Sequence, residues 1–452
     1  MTNRVSRVTV VGGGLAGCEA ALQLARLGIT VELIEMRPVR QTPAHSGESL
    51  AQIVCSNSLK STAPATASGL LKDELDVLHC ELLNIARQSS VPAGSALAVD
   101  KSVFSAKVAA ALAAQPLITV SRREIDSLPK IENHAWLVAT GPMTSEALIK
   151  QLGEITGQPG LHFFDAIAPT VTLESLDLGI LYRAARYGRG QDDYLNAPLN
   201  EAQYNALHAD LLAADKAAVH DFDRTELFAG CQPIEEIAAS GPMSMSFGPL
   251  RPVGLEEPAT GQRPHAVVQL RQENLAGTLY GLVGFQTRLK FGEQKRVFRS
   301  IPGLAQAEFV RYGQLHRNFY LDTPRCCQND FSLNGRTDVF IAGQITGVEG
   351  YVESIASGLF TAWQIAARAR ELQLPGLPLE TLLGSLLNNF LFDMTSDRLS
   401  PMNVNFGLLP DLALRVRNKR DRKLAKSEVA RKAMTQWLAD ESVASLLAAH
   451  HS

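Results

Sequence analysis

Residues 5–35, "VSRVTVVGGGLAGCEAALQLARLGITVELIE", decide the fold. "VSRVTVV" reads as a buried strand. The glycine run that follows opens a stretch of small and apolar residues suited to a helix closed by Gly28, and "ITVELIE" reads as a second strand. The result is a βαβ unit of about thirty residues with Gly12, Gly14 and Gly17 at GxGxxG spacing and Glu35 about twenty residues downstream. Each part has a physical task. The first glycine makes the tight turn, the second admits a pyrophosphate close to bare backbone, the third lets helix pack on strand, and the helix N-terminus faces the negative charge. Gly12, Gly13, Gly14, Leu15, Ala16 and Gly17 are therefore the expected phosphate cradle, and Glu35 the acceptor for the adenosine ribose hydroxyls.

Far downstream, "TDVFIAGQITGVEGYVESIASGLFTAWQIAARA" predicts a strand at 338–342, a glycine loop, and a helix with Leu359, Phe360 and Trp363 toward the core. A glycine loop after a late strand can complete a cofactor site begun by the first. Two-dinucleotide flavoproteins often carry Gly-Asp there, and this chain carries Gly343-Gln344, so an ordinary βα turn remains the other reading. Between these ends, "HAVVQL" and "LYGLVGF" suggest short strands and "EAQYNALHADLLAADKAA" a helix. The expected organisation is a first part of a nucleotide-binding domain at 1–165, an inserted α+β domain at 166–329, and a return to the first domain at 330–452. No repeat of fixed period interrupts it, and an alanine-rich helix is expected near 106–114.

With 452 residues, 46% of them hydrophobic, the chain can bury a large core. A net charge of −3 gives no global attraction to nucleic acid or anionic membrane, so any such partner must meet a local patch. Residues 415–432, "RVRNKRDRKLAKSEVARK", set nine basic residues against two acidic ones and can be such a patch or a solvated helix face. Six cysteines without CxxC spacing argue against structural zinc and a secreted disulfide scaffold, and a reducing cytoplasm fits. No run approaches the roughly 18 apolar residues of a membrane span.

Two cysteines stand in unusual settings. Cys55, in "QIVCSNSLKS", is either a small buried hydrophobe or a reactive thiol with Ser56, Asn57, Ser58 and Lys60 as a supply of donors. Cys231, in "LFAGCQPIEEIAASGPM", lies between a Phe-Ala-Gly turn and a proline, near Glu235 and Glu236. "GLVGFQTRLKFGEQKRVFRSIPGL" interleaves Phe285, Phe291 and Phe298 with Arg288, Lys290, Lys295, Arg296 and Arg299, and "YGQLHRNFYL" adds His316 and Arg317. That text suits base stacking with phosphate contacts, and equally an amphipathic sheet edge and helix.

"VVGGGLAGCEAA", "PAHSGESLAQIVCSNSLKS", "LVGFQTRLKFGEQKRV", "HRNFYLDTPR" and "IAGQITGVEGYVESIASG" together resemble the TrmFO family of folate- and FAD-dependent tRNA uracil-C5 methyltransferases, from the first strand to about residue 410. The resemblance implies a Rossmann-like FAD-binding domain of the glutathione-reductase type with an inserted α+β domain. It implies FAD at the two glycine loops, methylenetetrahydrofolate as carbon donor, NAD(P)H as reductant, and the T-loop uridine of tRNA as target; no membrane is expected and no protein partner is inferred. Its cysteine pair maps onto Cys55 as base and Cys231 as nucleophile. Where the family usually reads Leu-Asn-Cys-Pro-Met this chain reads "LNAPL", with Ala197 in place of cysteine. Competing readings are ribosomal-RNA methylation by the same chemistry, the sibling enzymes of the tRNA wobble uridine, a FAD oxidoreductase on a small molecule, and a flavin-binding RNA module without turnover.

Overall fold

The computed structural model describes residues 5–45, 47–188, 192–217, 232–413 and 416–448. β1 (Arg7–Val11), α1 (Leu15–Arg26) and β2 (Thr30–Glu35) form the expected unit. β1 and β2 run parallel with Val11 opposite Ile34. A parallel strand covered on both faces reads as an unbroken aliphatic run, which is why Val8, Val10, Val11, Leu33 and Ile34 are all buried. β3 (Ile118–Arg122) joins the far side of β2, and β4 (His134–Val138) the far side of β1. The helix between β2 and β3, Lys101–Ala113, covers the expected alanine-rich segment; Asp100 caps it by accepting from the N–H groups of Ser102 and Val103.

The chain then leaves this sheet and returns to it late. Leu161–Ala166 on the way out pairs antiparallel with Leu315–Tyr320 on the way back, Ala166 opposite Leu315. Between them lies a second six-stranded sheet, built from Thr170–Thr172, Tyr182–Ala184, Tyr194–Leu199, Ala266–Gln272, Leu279–Leu282 and Phe309–Arg311. Tyr280, Phe285, Phe298 and Leu270 fill a separate core there. The expected "HAVVQL" and "LYGLVGF" strands are the fourth and fifth of these, and Glu201–Ala213 is the expected helix.

β5 (Arg336–Ile341) re-enters the first sheet parallel to β4, Val339 opposite Trp136, with Ser332–Leu333 pairing antiparallel along its outer edge. The sheet thus runs Ser332–Leu333, β5, β4, β1, β2, β3. α2 (Tyr351–Ala369) follows, with Leu359, Phe360 and Trp363 buried as expected, and lies directly against α1. The two helices approach so closely that a Cβ on Gly358 would stand 2.3 Å from the Ala16 carbonyl oxygen. α3 (Lys419–Leu438) carries most of the basic run, anchored by Met434 and by Trp437 stacked 6.1 Å from Trp363. Among the described residues no helix is long and apolar enough to cross a membrane.

Candidate active site

The site is built where the loops after β1 and β5 meet at the C-terminal edge of the first sheet, the edge at which open parallel sheets place ligands. Gly12 turns at φ +110°, and a Cβ there would stand 2.5 Å from Ala139 O, so only glycine fits. A Cβ on Gly17 would stand 1.9 Å from Gly12 O, which makes the third glycine a packing requirement. Gly14 differs: it is the N-cap of α1, and a Cβ there would meet nothing within 4 Å. That open space before a helix N-terminus, at a cavity lined by Gly12, Gly14, Glu35, Thr42 and Thr140, fits a phosphate group. Leu15 and Ala16, in the first turn of α1, are buried behind it.

Glu35 is more occupied than its expected role allows for. Its carboxylate accepts from Gly13 N at 3.0 Å and from Arg37 N and Nε at 3.0 and 2.9 Å. Burial alone would raise its carboxyl; the Arg37 guanidinium and the two backbone N–H groups outweigh burial and hold it below the usual carboxylate range. It still lines the cavity, as a carboxylate that braces the glycine turn.

Gly343 and Gln344 begin a short 3-10 turn between β5 and α2. The Gly343 N–H is held by Ser357 Oγ at 3.1 Å, and Gln344 Nε2 donates to Glu349 Oε2 at 2.6 Å. Gln344, Glu349 and Tyr351 line a cavity of about 330 Å³ together with Cys55, Asp165 and Arg271. Cys55 is half-buried, its N–H donates to Tyr351 Oη at 2.8 Å, and its Sγ lies 3.7 Å from Ala166 O. Burial and then the Asp165 charge push the Cys55 thiol up to about 12, against the opposing pull of Lys101 and Arg311. Burial and Asp165 likewise push Glu349 up to about 8. Burial also raises the Tyr351 phenol well above its ordinary value, so at neutral pH all three present protons to the cavity.

The expected donors to Cys55 point elsewhere. Ser56 Oγ accepts from Ser58 N and Arg271, Asn57 Nδ2 donates to Val99 O and Gln272 O, Ser58 Oγ accepts from Lys60 N, and Lys60 pairs with Glu353 at 3.1 Å. These residues shape the loop, and the positive groups near the thiol are Lys101 and Arg311, which lie far away in sequence. Cys231 lies outside the described residues. The segment just after it is placed: Ile234 N donates to the carbonyl of Gln286, a residue that lines the Cys55 cavity. Glu235 is buried on Thr287 Oγ1 and Arg288 N, and Glu236 pairs with Arg288 and Lys216.

The interleaved aromatic and basic segment divides. Phe285 and Phe298 are core residues in edge contact at 5.4 Å, Arg288 and Arg296 are taken by carboxylates, and Arg299 holds Ala307 O. Phe291 alone of the three rings is exposed, stacked on Tyr312 at 4.9 Å beside a second cavity of about 880 Å³. Ala197 is fully buried on its strand opposite Val268, so the missing cysteine belongs to the second core and not to a cavity wall.

The profile of the family described as Glucose inhibited division protein A matches residues 7–373. The solved structure of Aquifex aeolicus GidA superimposes with a TM-score of 0.68 over 98% of this chain and 75% of that one, at 17% identity, and so speaks for the fold. A protein of Moorella thermoacetica named methylenetetrahydrofolate–tRNA-(uracil-5-)-methyltransferase TrmFO is 50% identical over 418 residues, 92% of this chain and 94% of its own. The chain belongs to the TrmFO family. A second TrmFO protein, from Desulforamulus reducens, is 47% identical over 97% of this chain and 98% of its own. The TrmFO match spans both sheets, so the antiparallel unit is as much a part of the family as the glycine loops.

Proposed function

We propose that the chain is a methylenetetrahydrofolate–tRNA (uracil-5-) methyltransferase, the activity carried in its relatives' names, acting on the T-loop uridine. The observation that carries the reading is a single cavity lined both by Cys55 and by Gln344, Glu349 and Tyr351 before and at the start of α2, and sharing Met143 with the cavity at Gly14. That shared lining supports a reading in which thiol chemistry and a dinucleotide's reactive end meet in one place.

In this reading the backbone from Gly12 through Gly13, Gly14, Leu15 and Ala16 to Gly17 cradles the FAD pyrophosphate, Glu35 faces the adenosine ribose, and Gly343 and Gln344 meet the ribityl side. The fold is then the glutathione-reductase type, with residues 166–329 inserted between 1–165 and 330–452. When bound, reduced FAD, regenerated from NAD(P)H, supplies the hydride that completes the methyl group. The chain's own residues do the rest. Uracil C5 is a weak nucleophile until a thiolate adds at C6, and that is the part of Cys231. The enolate carbon C5 then bonds to the methylene carbon carried by folate; Cys55, as the thiolate, removes the C5 proton, the bond from that carbon to the folate carrier breaks to leave an exocyclic methylene, and reduction of the methylene accompanies breaking of the C6–sulfur bond. Reaching a stacked uridine costs a few kcal/mol of base flipping, which contacts to the RNA must offset. The exposed Arg417, Lys419, Arg420 and Arg422 at the start of α3 are suited to phosphates.

The test is nucleoside analysis of tRNA after incubation with the purified protein, NADPH and methylenetetrahydrofolate. New 5-methyluridine that depends on folate is the expected result; none, or methylation without folate, refutes the proposal.

A further inference from the structure

Cys55 sits on a loop held from the opposite sheet. Arg311, at the end of the Phe309–Arg311 strand, donates from Nη1 to Val54 O at 2.9 Å and from Nη2 to Cys55 O at 3.1 Å. Lys101 Nζ, from the capped helix of the first unit, reaches the same Cys55 carbonyl at 3.2 Å. Glu273, buried just beyond the Ala266–Gln272 strand, stands 3.5 Å from Lys101 and 3.6 Å from Arg311, and Thr170 Oγ1 bridges Arg311 and Glu273 at 3.0 and 3.1 Å. Arg271, from the same strand, donates to Ser56 Oγ and Asn57 Oδ1 at 2.7 and 2.9 Å.

We propose that Arg311, together with Lys101, is a positioning residue for Cys55: by gripping the Val54 and Cys55 carbonyls it makes the docking of the second sheet on the first the event that aims the thiol. The proposal rests on the catalytic reading of Cys55 given above. Three features carry it. A loop that only needed anchoring could satisfy its carbonyls with neutral donors, whereas this carbonyl takes two cations, at the one residue of the loop with a reactive side chain. The pair is balanced by the single Glu273 carboxylate, so these three groups together keep a net positive charge against the Cys55 carbonyl. The cluster's members come from a helix of the first unit and from the second sheet, so the arrangement exists only when the two are together. Charge-assisted hydrogen bonds of this kind are about twice as strong as neutral ones and fix direction as well as distance.

The cluster also bears on the thiol's ionisation. The groups facing Cys55 are Asp165 and Glu349, which oppose a thiolate, Lys101 and Arg311, which favour one, and the Tyr351 hydroxyl at its N–H. Burial lowers Lys101 itself to about 8, against the opposing pull of the Glu273 carboxylate.

The experiment uses the flavin-loaded full chain and two variants, Arg311→Ala and Lys101→Met. Iodoacetamide modification of Cys55 is followed by mass spectrometry of its peptide across pH, alongside kcat for tRNA methylation and KM for tRNA. Arg311→Ala is expected to move the alkylation profile to higher pH and to lower kcat about 10- to 100-fold, the cost of misplacing a reacting group by about 1 Å, with KM within about twofold. Lys101→Met, which removes one cation and leaves the guanidinium, is expected to shift the profile in the same direction by less, and decides the matter if Arg311→Ala does not fold. Arg311→Lys should restore part of the profile but not the full kcat, since a point charge cannot grip two carbonyls. Unchanged profiles in folded variants overturn the proposal, as does a loss expressed only in KM. If Cys55→Ala methylates normally while the profiles shift, the catalytic reading of Cys55 fails and the positioning contact stands.

Discussion

Replacing Gly14 by valine separates the fold from its ligand. Gly14 has φ −77° and ψ −169°, ordinary extended backbone, and an added Cβ meets no atom within 4 Å. In flavin-free protein the change should cost no more than about 1 kcal/mol, the difference between a favoured and a poor N-cap. The branched side chain occupies the space where backbone N–H groups would meet a pyrophosphate. Losing two charge-assisted hydrogen bonds at about 1.5–3 kcal/mol each weakens FAD by about 3–6 kcal/mol, or roughly 10²- to 10⁴-fold. Gly17→Ala is the contrast, because its Cβ would stand 1.9 Å from Gly12 O; it should cost about 1–3 kcal/mol of overpacking strain with or without flavin. Flavin absorbance per mole of protein and the urea midpoint of stripped protein read the two effects separately. A Gly14→Val protein that keeps full flavin, or whose stripped form is as unstable as Gly17→Ala, refutes the placement of the cofactor.

On RNA carrying 5-fluorouridine, where no C5 proton can leave, Cys55→Ala should still trap a covalent adduct and Cys231→Ala should not; an adduct only in Cys231→Ala reverses the two roles. Alanine at Arg417, Arg420 and Arg422 should weaken RNA binding across sequences and reduce the salt slope by about one for each phosphate no longer neutralised; an unchanged slope makes the run a solvated face. Glu349, buried beside Asp165, is raised to about 8 from 4.5, so the folded chain keeps a proton that the unfolded chain releases. Its contribution to stability is complete below about pH 4.5 and is lost as pH rises through 8, at up to about 1.4 kcal/mol per pH unit. Urea titrations of flavin-free Glu349→Gln should show a flatter decline over that window, and an identical decline sinks the assignment.

What could be read directly from the sequence was what sequence neighbours determine. β1, α1 and β2 were legible because a both-faces-buried strand, a glycine-spaced turn and a closing Gly28 are local signals. Leu359, Phe360 and Trp363 followed from the apolar spacing of α2. The surroundings of Cys55 were not legible from its neighbours: Ser56, Asn57 and Lys60 turn away, while Lys101, Asp165, Arg311 and Tyr351 arrive from four distant segments. No periodicity encodes such a meeting. The aromatic run stayed open between base stacking and an amphipathic sheet edge and helix for a related reason, since Phe285 and Phe298 serve a core that forms only when antiparallel strands from 170 to 311 assemble, leaving Phe291 outside.

The close approach of Gly358 to Ala16 has a consequence for synthesis. The face of α1 that carries Ala16 cannot be covered until α2 exists, and β4 has no partner on its outer side until β5 arrives. Roughly 330 residues separate the end of β2 from the end of α2, a delay of about 20–70 s at about 5–20 residues per second on the ribosome. Over that interval the first βαβ unit is joined by β3 and β4 but keeps the α2-facing side of α1 uncovered, whereas the segment between 161 and 320 brings its own two ends together as a ribbon and closes a core of its own. The middle of the molecule thus completes itself while the first unit waits, and the two glycine loops can come together only late in synthesis, after β5 has been made.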